Sequence, residues 1–237
     1  MSASKARTGF WILALSAALS AVTGGVAADE ESYLRWSRSQ ALEIAKPMRR
    51  TGRVGSFWAS RGTHTERAFN YRLRATWLTP DVIRATARLR QLDRFLSEPE
   101  TRQLVEEAES AGDTVILIEL DPNEGAGIVP RDWVALLRPK AAPGTESEGV
   151  RGTSRPELKG ISALAGIGKR DYAYEAFWVV FPLLDRETGE PVFPDGAVEA
   201  ELVVRIGPQE GRVAWRIPDS VRRRAQTLAR KTEASEQ

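Results

Sequence analysis

Residues 68–78, "AFNYRLRATWL", carry the plainest structural signal in the chain. Phe69, Tyr71, Leu73, Ala75 and Trp77 alternate with Asn70, Arg72, Arg74 and Thr76. Successive side chains of a strand point to opposite faces. Period two over five apolar positions therefore predicts a half-buried strand with those five on its core face.

The stretch ends at "TPD". Thr79 suits a helix N-cap and Pro80 its first turn. Val82, Ala85, Leu89, Leu92 and Leu96 then recur at helical spacing. Ser97 and Glu100 have capping-box spacing, which predicts a second helix through Leu104 and Val105 until Gly112. Beyond Gly112 the signals are mostly those of strands. "TVILIEL" (114–120) and "YAYEAFWVVFPLL" (172–184) are apolar on both faces and belong inside a sheet. "WVALLRP" (133–139) reads as a shorter strand. "AVEAELVVRI" and "RVAWRIP" read as a hairpin joined by "GPQEG". Residues 140–160 read as a surface loop.

Short strands joined by turns favour a mainly β protein. The expected architecture is an antiparallel β-sandwich, with an immunoglobulin-like form as one variant. It carries an inserted or flanking helical pair at about residues 80–111. A two-layer α+β arrangement is the alternative. The expected organisation is a signal peptide (1–28), an N-terminal helix and basic linker (29–65), the β-rich domain (66–218), and a basic C-terminal helix with its tail (219–237). The helix in the second part falls at 31–46, and the linker at 46–65 holds several arginines and glycines but no alternation.

The signal reading rests on Lys5 and Arg7, the uncharged apolar run Phe10–Val22, and the small residues Val26, Ala27 and Ala28 before Asp29. Cleavage is expected between Ala28 and Asp29. The apolar run is short of the roughly 20 residues a membrane-spanning helix needs. An uncleaved anchor is the alternative. The expected location is outside the cytoplasm, periplasmic or extracellular. The chain has no cysteine, so it has neither disulfides nor a lipid-modified N-terminal cysteine. The whole chain has 34 basic and 32 acidic side chains. Two of the basic ones lie before residue 28, so the exported part is balanced. Balanced charge argues against nucleic acid as the main partner, because that affinity comes largely from neutralised phosphates.

"DPNEGAGIVPRDW" (121–133) tests the chemistry of the loops. Asp121, Asn123 and Asp132 fall at positions one, three and twelve of a calcium-loop pattern. Gly125 and Ala126 break that pattern at positions five and six, and the flanks read as strands. A turn between strands explains every residue type there, with Trp133 starting the next strand. The single histidine, His64, stands in "RGTHTER" with no nucleophile motif in the chain. One histidine and no cysteine also exclude the usual zinc ligand sets. "GIGK" (166–169) lacks the spacing of a phosphate loop.

A carboxylate pair remains as catalytic chemistry, and Glu119 and Glu175 stand inside otherwise apolar strands. Six of the seven tryptophans lie beyond residue 28. Trp77, Trp133, Trp178 and Trp215 belong to strands and the core, which leaves Trp36 and Trp58 as candidate ligand contacts. In "DSVRRRAQTLARK", Arg222, Arg223, Arg224, Arg230 and Lys231 flank a thin stripe of Val221, Ala225 and Leu228. That helix could touch anionic lipid or an acidic partner weakly, but its stripe is too small to insert firmly in a membrane, and a solvated, docked terminal helix is the favoured reading. The residues favour a non-enzymatic exported domain that needs no cofactor. It would bind a protein or cell-envelope component. A carboxylate hydrolase and a carbohydrate-binding module are the alternatives.

Overall fold

The strand at "YRLRATWL" sits inside a five-stranded sheet, with strands on both sides of it, its inner face buried and its outer face exposed at Arg72. The computed structural model describes residues 31–55, 71–122, 128–140, 149–168 and 174–235. The chain divides into a unit of Met1–Ser32 and a unit of Tyr33–Gln237, and the strands and α-helices described belong to the second.

In chain order the strands are β1 (Arg49–Val54), β2 (Tyr71–Leu78), β3 (Thr114–Pro122), β4 (Val134–Pro139), β5 (Val150–Arg151), β6 (Thr153–Ser154), β7 (Glu175–Phe181), β8 (Glu199–Ile206) and β9 (Gln209–Arg216). The helices are α1 (Arg38–Ala45), α2 (Pro80–Arg94), α3 (Glu98–Glu109) and α4 (Asp219–Ser235). One sheet runs β1-β2-β3-β7-β6 and the other β5-β4-β8-β9, and every strand pairing is antiparallel. The fold is thus a β-rich sandwich with added helices. Its strand order, with β1, β2 and β3 side by side, is not the immunoglobulin order.

The alternation in β2 is buried as its pattern requires. Tyr71, Leu73, Ala75 and Trp77 point between the sheets, while Phe69 lies outside the described residues. Leu202, Val204 and Ile206 of β8 and Val213 and Trp215 of β9 meet them from the facing sheet. Trp77 and Trp215 pack edge to face at 5.6 Å, a geometry that the ring quadrupoles favour. Both indole N–H groups are satisfied. Trp77 Nε1 donates to Thr114 Oγ1 at 2.7 Å, and Trp215 Nε1 to the Met48 carbonyl at 2.9 Å.

A second core covers the outer face of the five-stranded sheet. Leu78, Val115, Leu117 and Trp178 pack there against Val82, Ala85 and Leu89 of α2 and Val105 of α3. This is why β3 and β7 are apolar on both faces. Thr79 caps α2 by accepting from the Val82 N–H, and Ser97 and Glu100 form the reciprocal capping box of α3. α4 docks through Val221 and Ala225, with Leu228 packed beside them.

Three parts of the expected organisation change. The segment read as linker contains β1, which pairs along its length with β2. Its inward positions carry no apolar alternation because Arg50 and Gly52 face β9: Arg50 Nε donates to the Ala214 carbonyl at 3.0 Å. The single helix expected over 31–46 is broken. Ser37 starts α1 afresh with a capping box to Gln40. The surface loop expected over 140–160 contains β5 and β6, which flank Gly152.

Both lateral edges of the sandwich are closed. On one side the run 150–154 serves both sheets: Val150 and Arg151 pair with β4, and Thr153 and Ser154 with β7. Gly152 is the pivot, its N–H donating to the Ala135 carbonyl at 3.0 Å. A Cβ there would lie 2.4 Å from Val179 Cγ1 and 2.6 Å from Phe181 Cε1. On the other side β1 lies against β9, and the Gly55 N–H points to the Glu210 carbonyl at 3.4 Å. A Cβ on Gly211 would stand 2.5 Å from the Arg53 carbonyl oxygen. We expect Gly152→Ala and Gly211→Ala each to destabilise the fold by about 1–3 kcal/mol through overpacking. Gly160→Ala, whose Cβ meets nothing within 4 Å, serves as control. Denaturant unfolding checks this; three variants of equal stability would contradict it.

Candidate groove at the strand switch

The bend at Gly152 has a local consequence. The strand that leaves β4 for β7 opens a groove between those two strands. Its volume is about 600 Å³. Arg131, Trp133, Arg151, Thr153, Ser154 and Arg186 are among its lining residues. Trp133 forms one wall, its ring 4.8 Å from that of Phe177 at the end of the core. The guanidinium groups of Arg131, Arg151 and Arg186 make no ion pair or hydrogen bond among the described residues. Asp185, also at the groove, is already engaged. Its carboxylate accepts from the N–H groups of Glu187 at 2.8 Å and Thr188 at 3.0 Å. Those backbone bonds, Thr188 first, hold its carboxyl below the usual range. The groove therefore offers cations with no partner among the described residues, two hydroxyls and a short strand, with Asp185 committed to shaping the adjacent turn and Glu187 also in the lining. Nothing in "GVRGTS" signals this from sequence, because two-residue strands are too short to show a period.

The two carboxylates expected as a catalytic pair do not converge. Glu119 stands opposite Ala176 and Glu175 opposite Leu120. Leu120 points into the sandwich, so Glu175 shares its face and Glu119 points to the other. Glu119 is buried, with Arg74 Nη1 at 3.7 Å and Arg49 Nη2 at 4.0 Å. Glu175 is exposed, and it acts on Tyr71: burial first, then the Glu175 charge, push that phenol above its ordinary value.

Trp36 is half-buried rather than displayed. It meets Tyr33 edge-on at 6.3 Å, and its carbonyl accepts from Arg88 Nε at 2.8 Å. It also edges a small apolar hollow with Ile44, Met48 and Pro218. Trp58, His64, Asn123, and both Ala28 and Asp29 lie outside the described residues. Among the described residues no group of three or more His, Asp or Glu could hold a metal ion, and no helix is long and apolar enough to cross a membrane. In α4, Arg224 donates to the carbonyls of Glu109 at 2.6 Å and Gly112 at 2.7 Å, and Arg222 donates to that of Ala197. These two cations thus serve docking of the helix.

Comparison with known proteins finds no matching family model, no matching curated protein and no matching solved structure.

If Glu119 is a structural counter-charge, Glu119→Gln leaves Arg74 without its carboxylate in a buried setting. The expected loss is about 2–3 kcal/mol of unfolding free energy. An unchanged denaturation midpoint would show that the carboxylate is not needed for the fold.

Proposed function

We propose that the protein is an exported, non-catalytic binding domain. It would take an extended polar segment of a protein or cell-envelope partner in the groove at the strand switch. One observation carries the reading: three guanidinium groups with no partner among the described residues and the hydroxyls of β6 line one concave surface beside a tryptophan. Arginine presents a planar fork of donors that matches carboxylates and backbone carbonyls alike, and a neighbouring aromatic wall is typical of recognition sites. The groove is built from strand backbone on both sides, so it is preformed and costs little ordering when a partner enters. Export is read from the N-terminal sequence, and the lack of cysteine is compatible with it because two packed cores sustain the fold.

Photo-crosslinking in intact cells tests this. A photoreactive residue at Thr153 is expected to give a discrete adduct, and the recovered protein is expected to begin at Asp29. The same residue at Glu106, on the exposed side of α3, is expected to give none. Equal adducts at both positions, or none at Thr153 in a folded protein, would overturn the groove as the binding surface.

A further inference from the structure

The outer face of the five-stranded sheet has two unlike halves. The helices cover the half at Leu78, Val115, Leu117 and Trp178. The other half carries charge. Register sets Arg53, Arg72 and Asp121 in one row across β1, β2 and β3, and Thr51, Arg74 and Glu119 in the next. Arg49 follows in the third row, on the same face.

The charges in these rows do not balance. Arg53 and Arg72 stand directly opposite each other, and like charges so placed oppose strand pairing. Asp121 answers Arg72 from the far side, at 3.8 Å. Arg53 makes no side-chain bond or ion pair among the described residues. Glu119 is shared between Arg74 and Arg49 at distances too long for direct hydrogen bonds. Arg74 also lies over the Tyr174 ring at 4.2 Å, while its Nη1 is buried with no hydrogen-bond partner. Arg49 is held against the backbone at Gly168, where a Cβ would come within 2.4 Å of its Nη1. Among the described residues, four guanidinium groups thus face two carboxylates on one patch of sheet, fixed by strand register, a ring and a glycine.

We propose that this half of the sheet face binds a dianionic oxyanion group, such as a phosphate monoester of a soluble small molecule. The excess of two positive charges matches a dianion. Guanidinium forks suit tetrahedral oxyanions, and charge-assisted bonds of this kind are strong. A lipid headgroup is the poorer match, because among the described residues the Arg53 and Thr51 rows hold no large aliphatic side chain to enter a bilayer. The proposal uses none of the groove residues and stands apart from the binding reading above.

The test titrates the full exported chain with inorganic phosphate at pH 8, above its second ionisation, where it is mainly the dianion that a phosphate monoester also is. Calorimetry is expected to show saturable binding to phosphate and none to acetate at matched ionic strength. Arg53→Gln and Arg72→Gln, both exposed positions, are expected to weaken it about tenfold, the cost of one charge-assisted hydrogen-bonding group. Lys159→Gln, on an exposed turn elsewhere, leaves it unchanged. Unfolding midpoints confirm that each variant folds. Equal binding by all variants, or equal heats with acetate, would reduce the patch to solvated charge and overturn the proposal. Binding to anionic phospholipid vesicles that needs Arg53, with no binding to phosphate, would overturn it in favour of a membrane surface.

Discussion

Two sheets share a single apolar interior only if water is kept from entering at their sides, and close backbone approach at Gly152 and Gly211 closes both sides here. On one side a single run of chain bends from β4 to β7, and the bend leaves no room for a side chain over Val179 and Phe181. On the other, β1 is pressed to β9 with glycines at the contact. Burial drives the closure. Trp77, Trp215, Tyr71 and Phe181 are each almost wholly removed from water, and large aromatic side chains contribute roughly 1.5–3 kcal/mol each when buried.

Closure also distributes the remaining surfaces. Because the interior is filled, the groove forms outside it, at the place where the bent strand cannot follow both neighbours at once. The outer face of the five-stranded sheet is divided in the same way. Where β3 and β7 carry Leu117 and Trp178, helices pack; where β1 and β2 carry arginines, they do not. Glu119 stands at that border. Its neighbours on β3 are apolar, yet the strand's outward face at that row belongs to Arg74 and Arg49, and it pairs with them rather than with Glu175.

Much of this was legible from residues. The alternation in β2, the capping residues Thr79 and Ser97, the two-sided apolar character of β3 and β7, and the β8–β9 hairpin all follow from local periodicity and turn chemistry. The parts that were not legible share a physical cause. β1 is stabilised by strands far away in sequence, and its inner face holds Arg50 and Gly52 with only Val54 apolar, so "RRTGRV" shows no hydrophobic period. β5 and β6 owe their existence to partners on different sheets and are two residues each. Ser37 looks like one polar residue within a helical stretch until its bond to Gln40 restarts the helix. The groove inherits this blindness, since its residues come together only through the bend. Glu119 and Glu175 both stand in strands that were legible, yet sequence alone does not set register, and register puts them on opposite faces.

Amide hydrogen exchange, followed residue by residue, tests the closed sandwich most directly. The Gly152 and Gly55 N–H groups close the two edges, bonded to Ala135 and Glu210. The account predicts that Gly152 exchanges as slowly as the amides of β3, with Gly55 slower than the amide of Gly196 in its exposed turn. Exchange of both at the rate of Gly196 would mean that the edges are open and that β1 is the loose linker its sequence suggests.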